Sequence, residues 1–87
     1  RVLNQVILVG RVEEIDRIEK RIVLKIERLN KVKKDYDFVP VLLDEGLAST
    51  TFEYITEGAT LGVKASIYVE DEFVSVIAEK LTFINTK

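Results

Sequence analysis

Cysteine, histidine and tryptophan are absent from this sequence, and proline occurs once. Without cysteine there are no disulfides and no thiolate chemistry. With histidine also missing, the sequence offers no usual zinc site, no Ser–His or Cys–His nucleophile pair and no imidazole base. Carboxylates are plentiful, but fifteen of them on a domain this small are expected as solvated surface. No apolar run approaches the ~20 residues that span a bilayer, and the first residues do not read as a signal peptide. These absences predict a non-catalytic, cytoplasmic protein that uses no cofactor and no metal. At 87 residues the chain is too short for two cores, so residues 1–87 form a single domain.

What is present is distributed unevenly. The formal net charge is −2, yet residues 1–34 carry ten basic side chains against five acidic ones, a net of +5. Residues 35–87 carry three basic and ten acidic, a net of −7. A one-sided polyanion site produces such a split, and so does ordinary surface charge that mixes once the chain folds.

The apolar pattern is that of strands. Val2–Val12 is a long run rich in β-branched residues, interrupted by Asn4, Gln5, Gly10 and Arg11, which predicts a buried first strand. Gly10 within it signals a bulge or sharp bend. Over 18–29 the period is two: Ile22, Leu24 and Ile26 share one face, and Arg21, Val23, Lys25 and Glu27 the other. A polar connection at 30–35 leads to a third strand, Tyr36–Leu43. There Val39, Val41 and Leu43 oppose Tyr36, Phe38, Pro40 and Leu42. Pro40 cannot donate to a ladder, so that strand must be an edge or bulge at that point.

Residues 46–57 are the one helical candidate, with Leu47, Thr51, Tyr54 and Ile55 at near-helical spacing and Gly58 placed as a C-terminal cap. Tyr54 is expected to pack against the strands. Leu61–Val69 and Phe73–Ile84 complete the pattern as two strands joined by a short turn at Glu70-Asp71-Glu72. Three strands, one short helix and two strands is the order of an all-β, five-stranded antiparallel oligonucleotide/oligosaccharide-binding (OB) barrel. Its short α-helix lies between strands three and four.

Several segments resemble a family. Leu3-Asn4-Gln5-Val6-Ile7-Leu8-Val9-Gly10-Arg11 resembles the opening strand of bacterial single-stranded DNA-binding proteins, and Asp37-Phe38-Val39-Pro40-Val41 their third strand. Leu47-Ala48, Glu53-Tyr54-Ile55 and Gly58 are similar to the family's helix and its glycine stop. Val63 through Ile67, Val76-Ile77-Ala78-Glu79 and Phe83 are similar to its closing hairpin. The resemblance implies sequence-independent binding of single-stranded DNA, with RNA an open alternative, in replication, recombination or repair. It also implies self-association, as dimer or tetramer, through the first strand at Leu3, Asn4, Gln5, Val6, Ile7 and Leu8, and contact with other replication proteins. The sequence departs from the family's pattern in having few aromatics, Asp44 where another would be expected, and short loops at 30–35 and 70–72.

On an OB barrel, strands two and three form the binding surface. The candidate nucleic-acid residues are therefore Arg21 and Lys25 on strand two and Phe38 and Leu42 on strand three. Arg11, Lys31, Lys33 and Lys34 extend a basic track. Single strands are held by cations along phosphates and by aromatics under bases. With Phe38 as the one clear platform, affinity is expected to lean on phosphates and to fall steeply with salt. The alternative is an OB-fold protein-interaction or primosome-type accessory module with weak or no DNA binding.

Overall fold

Alternation of apolar and polar side chains over 5–12 residues, punctuated by polar turns, drives the chain into five strands and one helix. In the computed structural model, which describes residues 1–29 and 32–84, these are β1 (Val6–Asp16), β2 (Arg21–Glu27), β3 (Tyr36–Leu42), α1 (Glu45–Tyr54), β4 (Thr60–Glu70) and β5 (Phe73–Ile84). The strands close into a barrel in the order β1-β2-β3-β5-β4, the five-stranded OB architecture. Neighbours are antiparallel except for the closing pair: β3 and β5 run parallel and are in register at Val41↔Val76 and Leu42↔Ile77. Pro40 lies just before that short seam, where β3 has no ladder with β5 to interrupt.

The inward faces meet in one core. Val12, Ile22, Leu24, Val41, Leu61 and Val63 are essentially inaccessible to solvent, and Ala65 and Ala78 are buried with them. Arg21, Val23 and Lys25 on β2, and Phe38, Pro40 and Leu42 on β3, are thereby turned outward.

β1 serves two neighbours. Val6–Arg11 pairs with β4, and Arg11–Asp16 with β2. The bulge in β1 comes between Val12 and Glu14 and not at Gly10. Gly10 is required by close approach instead: a Cβ there would lie 2.8 Å from Lys25 O and 2.8 Å from Ile26 Cγ1. The expected buried strand from Val2 is shorter, because Val2 and Leu3 precede β1 and are 95% and 85% exposed. Among the described residues no strand pairs with them.

Asp44 caps α1, its Oδ1 accepting from Leu47 N at 2.8 Å. That is why a carboxylate stands where an aromatic was expected. Ala48, Thr51 and Ile55 turn inward, with Leu47 and Phe52 beside them. Tyr54 is not packed on the barrel but 71% exposed. At 100° per residue it points about 120° away from Ala48 and about 100° away from Ile55. Phe52 takes the anchoring place, with Arg17 donating to Phe52 O at 2.6 Å and lying 5.5 Å from its ring centre. Nor is Gly58 the helix cap: Ile55 is, and Gly58 (φ 89°) sits in the turn into β4, donating to Val12 O. Among the described residues no helix is long and apolar enough to cross a membrane.

Candidate nucleic-acid interface

The ladder register converts strand positions into a surface. Arg11 stands opposite Lys25, and Lys25 opposite Phe38, so one row crosses β1, β2 and β3 on the outside of the barrel. Two residues along, Val23 faces Pro40; two more, Arg21 faces Leu42. In the other direction Glu27 faces Tyr36. The result is a strip of four rows spanning residues 21–27 and 36–42, with Phe38 (56% exposed) in the second row from the Tyr36 end.

Two open cavities flank that middle. One, of about 530 Å³, lies between the outer face of β3 and the start of β5, walled by Arg21, Phe38, Pro40, Leu42 and Val74. It exists because β3 and β5 diverge before Val41 and Val76. The other, of about 610 Å³, is bordered by Arg11, Lys25, Glu27, Lys34 and Tyr36. There the Lys25 Nζ sits 4.3 Å from the centre of the Tyr36 ring, a cation–π contact.

The basic side chains differ in how committed they are. Arg11 Nε donates weakly to Gly58 O at 3.4 Å, and among the described residues neither Arg11 nor Lys25 forms an ion pair. Arg21 is 3.7 Å from Asp16, and Lys34 is 3.9 Å from Glu27. Lys33 is exposed in the β2–β3 connection, and Lys31 lies outside the described residues.

That connection is rooted by Arg28. Its Nε and Nη2 both donate to Asp37 Oδ1, at 2.9 and 2.6 Å, and its Nη1 donates to Asp35 Oδ2 at 3.0 Å. The hydrogen bond from Arg28 holds the Asp37 carboxyl below the ordinary carboxylate range, and Asp37 in return raises the guanidinium. The negative charge next to Phe38 is thereby balanced locally, and Arg28 is withdrawn from any role toward a phosphate.

Of the residues anticipated on this face, the fold brings Arg11, Lys25 and Phe38 into one row and places Arg21 with Leu42 at one end. Tyr36 and the Val74 wall complete the surface. Period two puts Tyr36 on the same face as Phe38, but its contact with Lys25 required the β2–β3 register. Val74 came from a strand distant in sequence.

The fold is shared with solved structures of low sequence identity. A mitochondrial single-stranded DNA-binding protein of S. cerevisiae, Rim1, superposes with a TM-score of 0.74 at 14% identity, with all of both chains covered. A small single-stranded DNA-binding protein from Mycoplasma pneumoniae gives 0.67 at 18% identity, covering 99% of this chain and 97% of that one. A chain of the S. pombe Stn1–Ten1 complex gives 0.68 at 17% identity, covering 97% of this chain and 60% of its own. No protein-family model and no curated protein matches the sequence.

Proposed function

We propose that this chain binds single-stranded nucleic acid, DNA foremost, without catalysis, in replication, recombination or repair. The observation that carries this reading is the row Arg11–Lys25–Phe38 with Tyr36 beside it: two cations free of ion pairs next to two aromatic rings on one outer face. Single strands ask for that combination, because every base has a π-face and every nucleotide a phosphate. The solved structures of the same fold described as single-stranded DNA-binding proteins support it.

Ion pairing moderates the electrostatics. Arg21, Arg28 and Lys34 already face carboxylates, so among the described residues of this face about two or three cations (Arg11, Lys25 and Lys33) remain to meet phosphates. For single strands, log K then falls with log salt at a slope of about −1.4 to −2, much shallower than a phosphate-dominated site. The test is anisotropy of a labelled mixed-sequence single strand and of its duplex across several salt concentrations, with Phe38→Ala alongside. Binding of the single strand over the duplex, weakened by Phe38→Ala, supports the reading. Failure to bind at micromolar protein and low salt sinks it, and leaves an OB-fold interaction module.

Self-association, as dimer or tetramer, belongs to the same reading. Among the described residues, Val6–Val9 pair on one side only, with β4, and an unpaired strand edge invites a second strand. Ile7 and Val9 are 62% and 54% exposed and Leu3 lies free beside them, while Val6 and Leu8 pack on the core. Backbone and the outward residues would therefore form the contact, with Gln5 beside it and Asn4 already engaged by β4.

A further inference from the structure

The Tyr36 cavity is built differently from the Phe38 surface. Lys25 lies over the Tyr36 ring, Glu27 stands directly opposite Tyr36 across the β2–β3 ladder, and all three border the same space of about 610 Å³. That volume is within the ordinary range for a small-molecule site, so a single nucleotide fits. Tyr36 and Phe38 are two apart on one strand, which separates their side chains by roughly 6.5–7 Å. They cannot serve one base together. They suit two successive nucleotides on an extended backbone.

The polar groups around the ring are not equivalent. Lys25 only donates hydrogen bonds, and Glu27, when ionised, only accepts them. With Lys25 displaced from the ring, a base lying on Tyr36 meets the Glu27 carboxylate as an acceptor at its edge, and the Lys34 ammonium, 3.9 Å from that carboxylate, as a neighbouring donor. Cytosine and adenine carry an exocyclic amino group that a carboxylate can accept from, beside ring acceptors that an ammonium can satisfy. Thymine carries a carbonyl where cytosine has its amino group, so in the same pose it turns a lone pair toward the carboxylate and must shift to offer its N3–H instead.

We propose that the Tyr36 cavity is a second base subsite, selective for a base bearing an exocyclic amino group, with Glu27 as acceptor. It rests on the reading of this face as a single-strand site. The Lys25 ammonium occupies the ring face in the free protein and moves to a phosphate as the base takes its place. The chain thus has a base preference at one position, although the Phe38 platform has none.

Oligo-dC and oligo-dT of equal length, labelled and titrated by anisotropy at pH 8, test this in the wild type and in Glu27→Gln, Tyr36→Leu and Phe38→Ala. A single well-placed hydrogen-bonding contact discriminates by roughly five- to tenfold. Oligo-dC is expected to bind tighter by that factor, and Glu27→Gln is expected to bring the ratio to about one. Tyr36→Leu should weaken binding and lose the preference, whereas Phe38→Ala should weaken both oligomers equally. A wild-type ratio of one or below, or a preference that survives Glu27→Gln, overturns the subsite alone provided Phe38→Ala still weakens binding. No binding of either oligomer removes the single-strand reading and the subsite with it.

Discussion

Asn4 completes a sheet with its side chain. Its Nδ2 donates to Ile67 O at 2.8 Å and its Oδ1 accepts from Ile67 N at 2.9 Å. The amide thus imitates a strand residue two positions beyond Val6↔Ala65, the last backbone pair of β1 with β4. Both backbone groups of Ile67 are consumed, and the approach of the N-terminal residues to β4 is fixed.

Replacing Asn4 with Ala should lower stability by about 1 kcal/mol, since two exposed hydrogen bonds are lost and water can replace them. The sharper readout is amide hydrogen exchange: Ile67 N–H should exchange markedly faster while Val63 N–H is unchanged. Unchanged exchange at Ile67 would show that the amide contact is not held in solution.

Acid should loosen the root of the β2–β3 connection. The Asp37 carboxyl is held below its ordinary value by Arg28, so in the unfolded chain it binds a proton more readily than in the folded one. Its stabilisation is present in full above the ordinary carboxylate value and is lost as pH falls through the lower, folded one. Asp37→Asn should therefore flatten the acid limb of a stability-against-pH curve. Because the pair is exposed, the effect should also shrink at high salt. Identical acid limbs for wild type and variant would remove this account.

The β4–β5 turn carries a removable strain. Asp71 and Glu72 both adopt positive φ, 51° and 70°, the backbone of a two-residue hairpin turn in which glycine is favoured at the second place. A glutamate side chain there costs about 1 kcal/mol. Glu72→Gly should raise stability by roughly 0.5–1 kcal/mol, measured as a shifted urea midpoint with an unchanged slope. A lower midpoint would mean that the turn relaxes in some other way.

Lys25 and Phe38 should make physically distinct contributions to binding. Phe38→Ala should reduce single-strand affinity by about 1–3 kcal/mol at every salt concentration, the worth of one stacked base. Lys25→Ala should instead flatten the salt slope by about 0.7, one phosphate's share. If both variants only flatten the slope, the aromatic is not a platform.

The strand order and the outward face of β2 and β3 were legible because period two leaves little choice once Ile22, Leu24, Val41 and Leu43 must be buried. Other features depend on partners that a linear pattern does not contain. Val2 and Leu3 look like strand residues, yet β1 starts at Val6: although β4 runs on to Glu70, past Val6↔Ala65 it is met by the Asn4 side chain and not by a further backbone pair. Tyr54 and Ile55 look equally suited to packing, but a shift of one residue is 100° on a helix, and Ile55 wins the core. Asp44 read as a missing aromatic and is a helix cap. Which cations remain free for phosphate was hidden too, since Asp16 meets Arg21 through the β1–β2 register, and Glu27 and Asp37 meet Lys34 and Arg28 through the path of the β2–β3 connection.

The barrel is sealed very unequally. β4 and β5 are zipped along eleven residue pairs from Thr60↔Ile84 to Glu70↔Phe73, while β3 meets β5 at two. A cylinder closed this way has a natural line of rupture, so its least costly partial unfolding parts the two-pair seam and leaves the long hairpin intact. Under mechanical load or mild denaturant the molecule would open as a flat five-stranded sheet, β3-β2-β1-β4-β5, before it melts. The groove beside Phe38 begins at that line, so a ligand bridging β3 and Val74 would act as a rivet across the weakest joint.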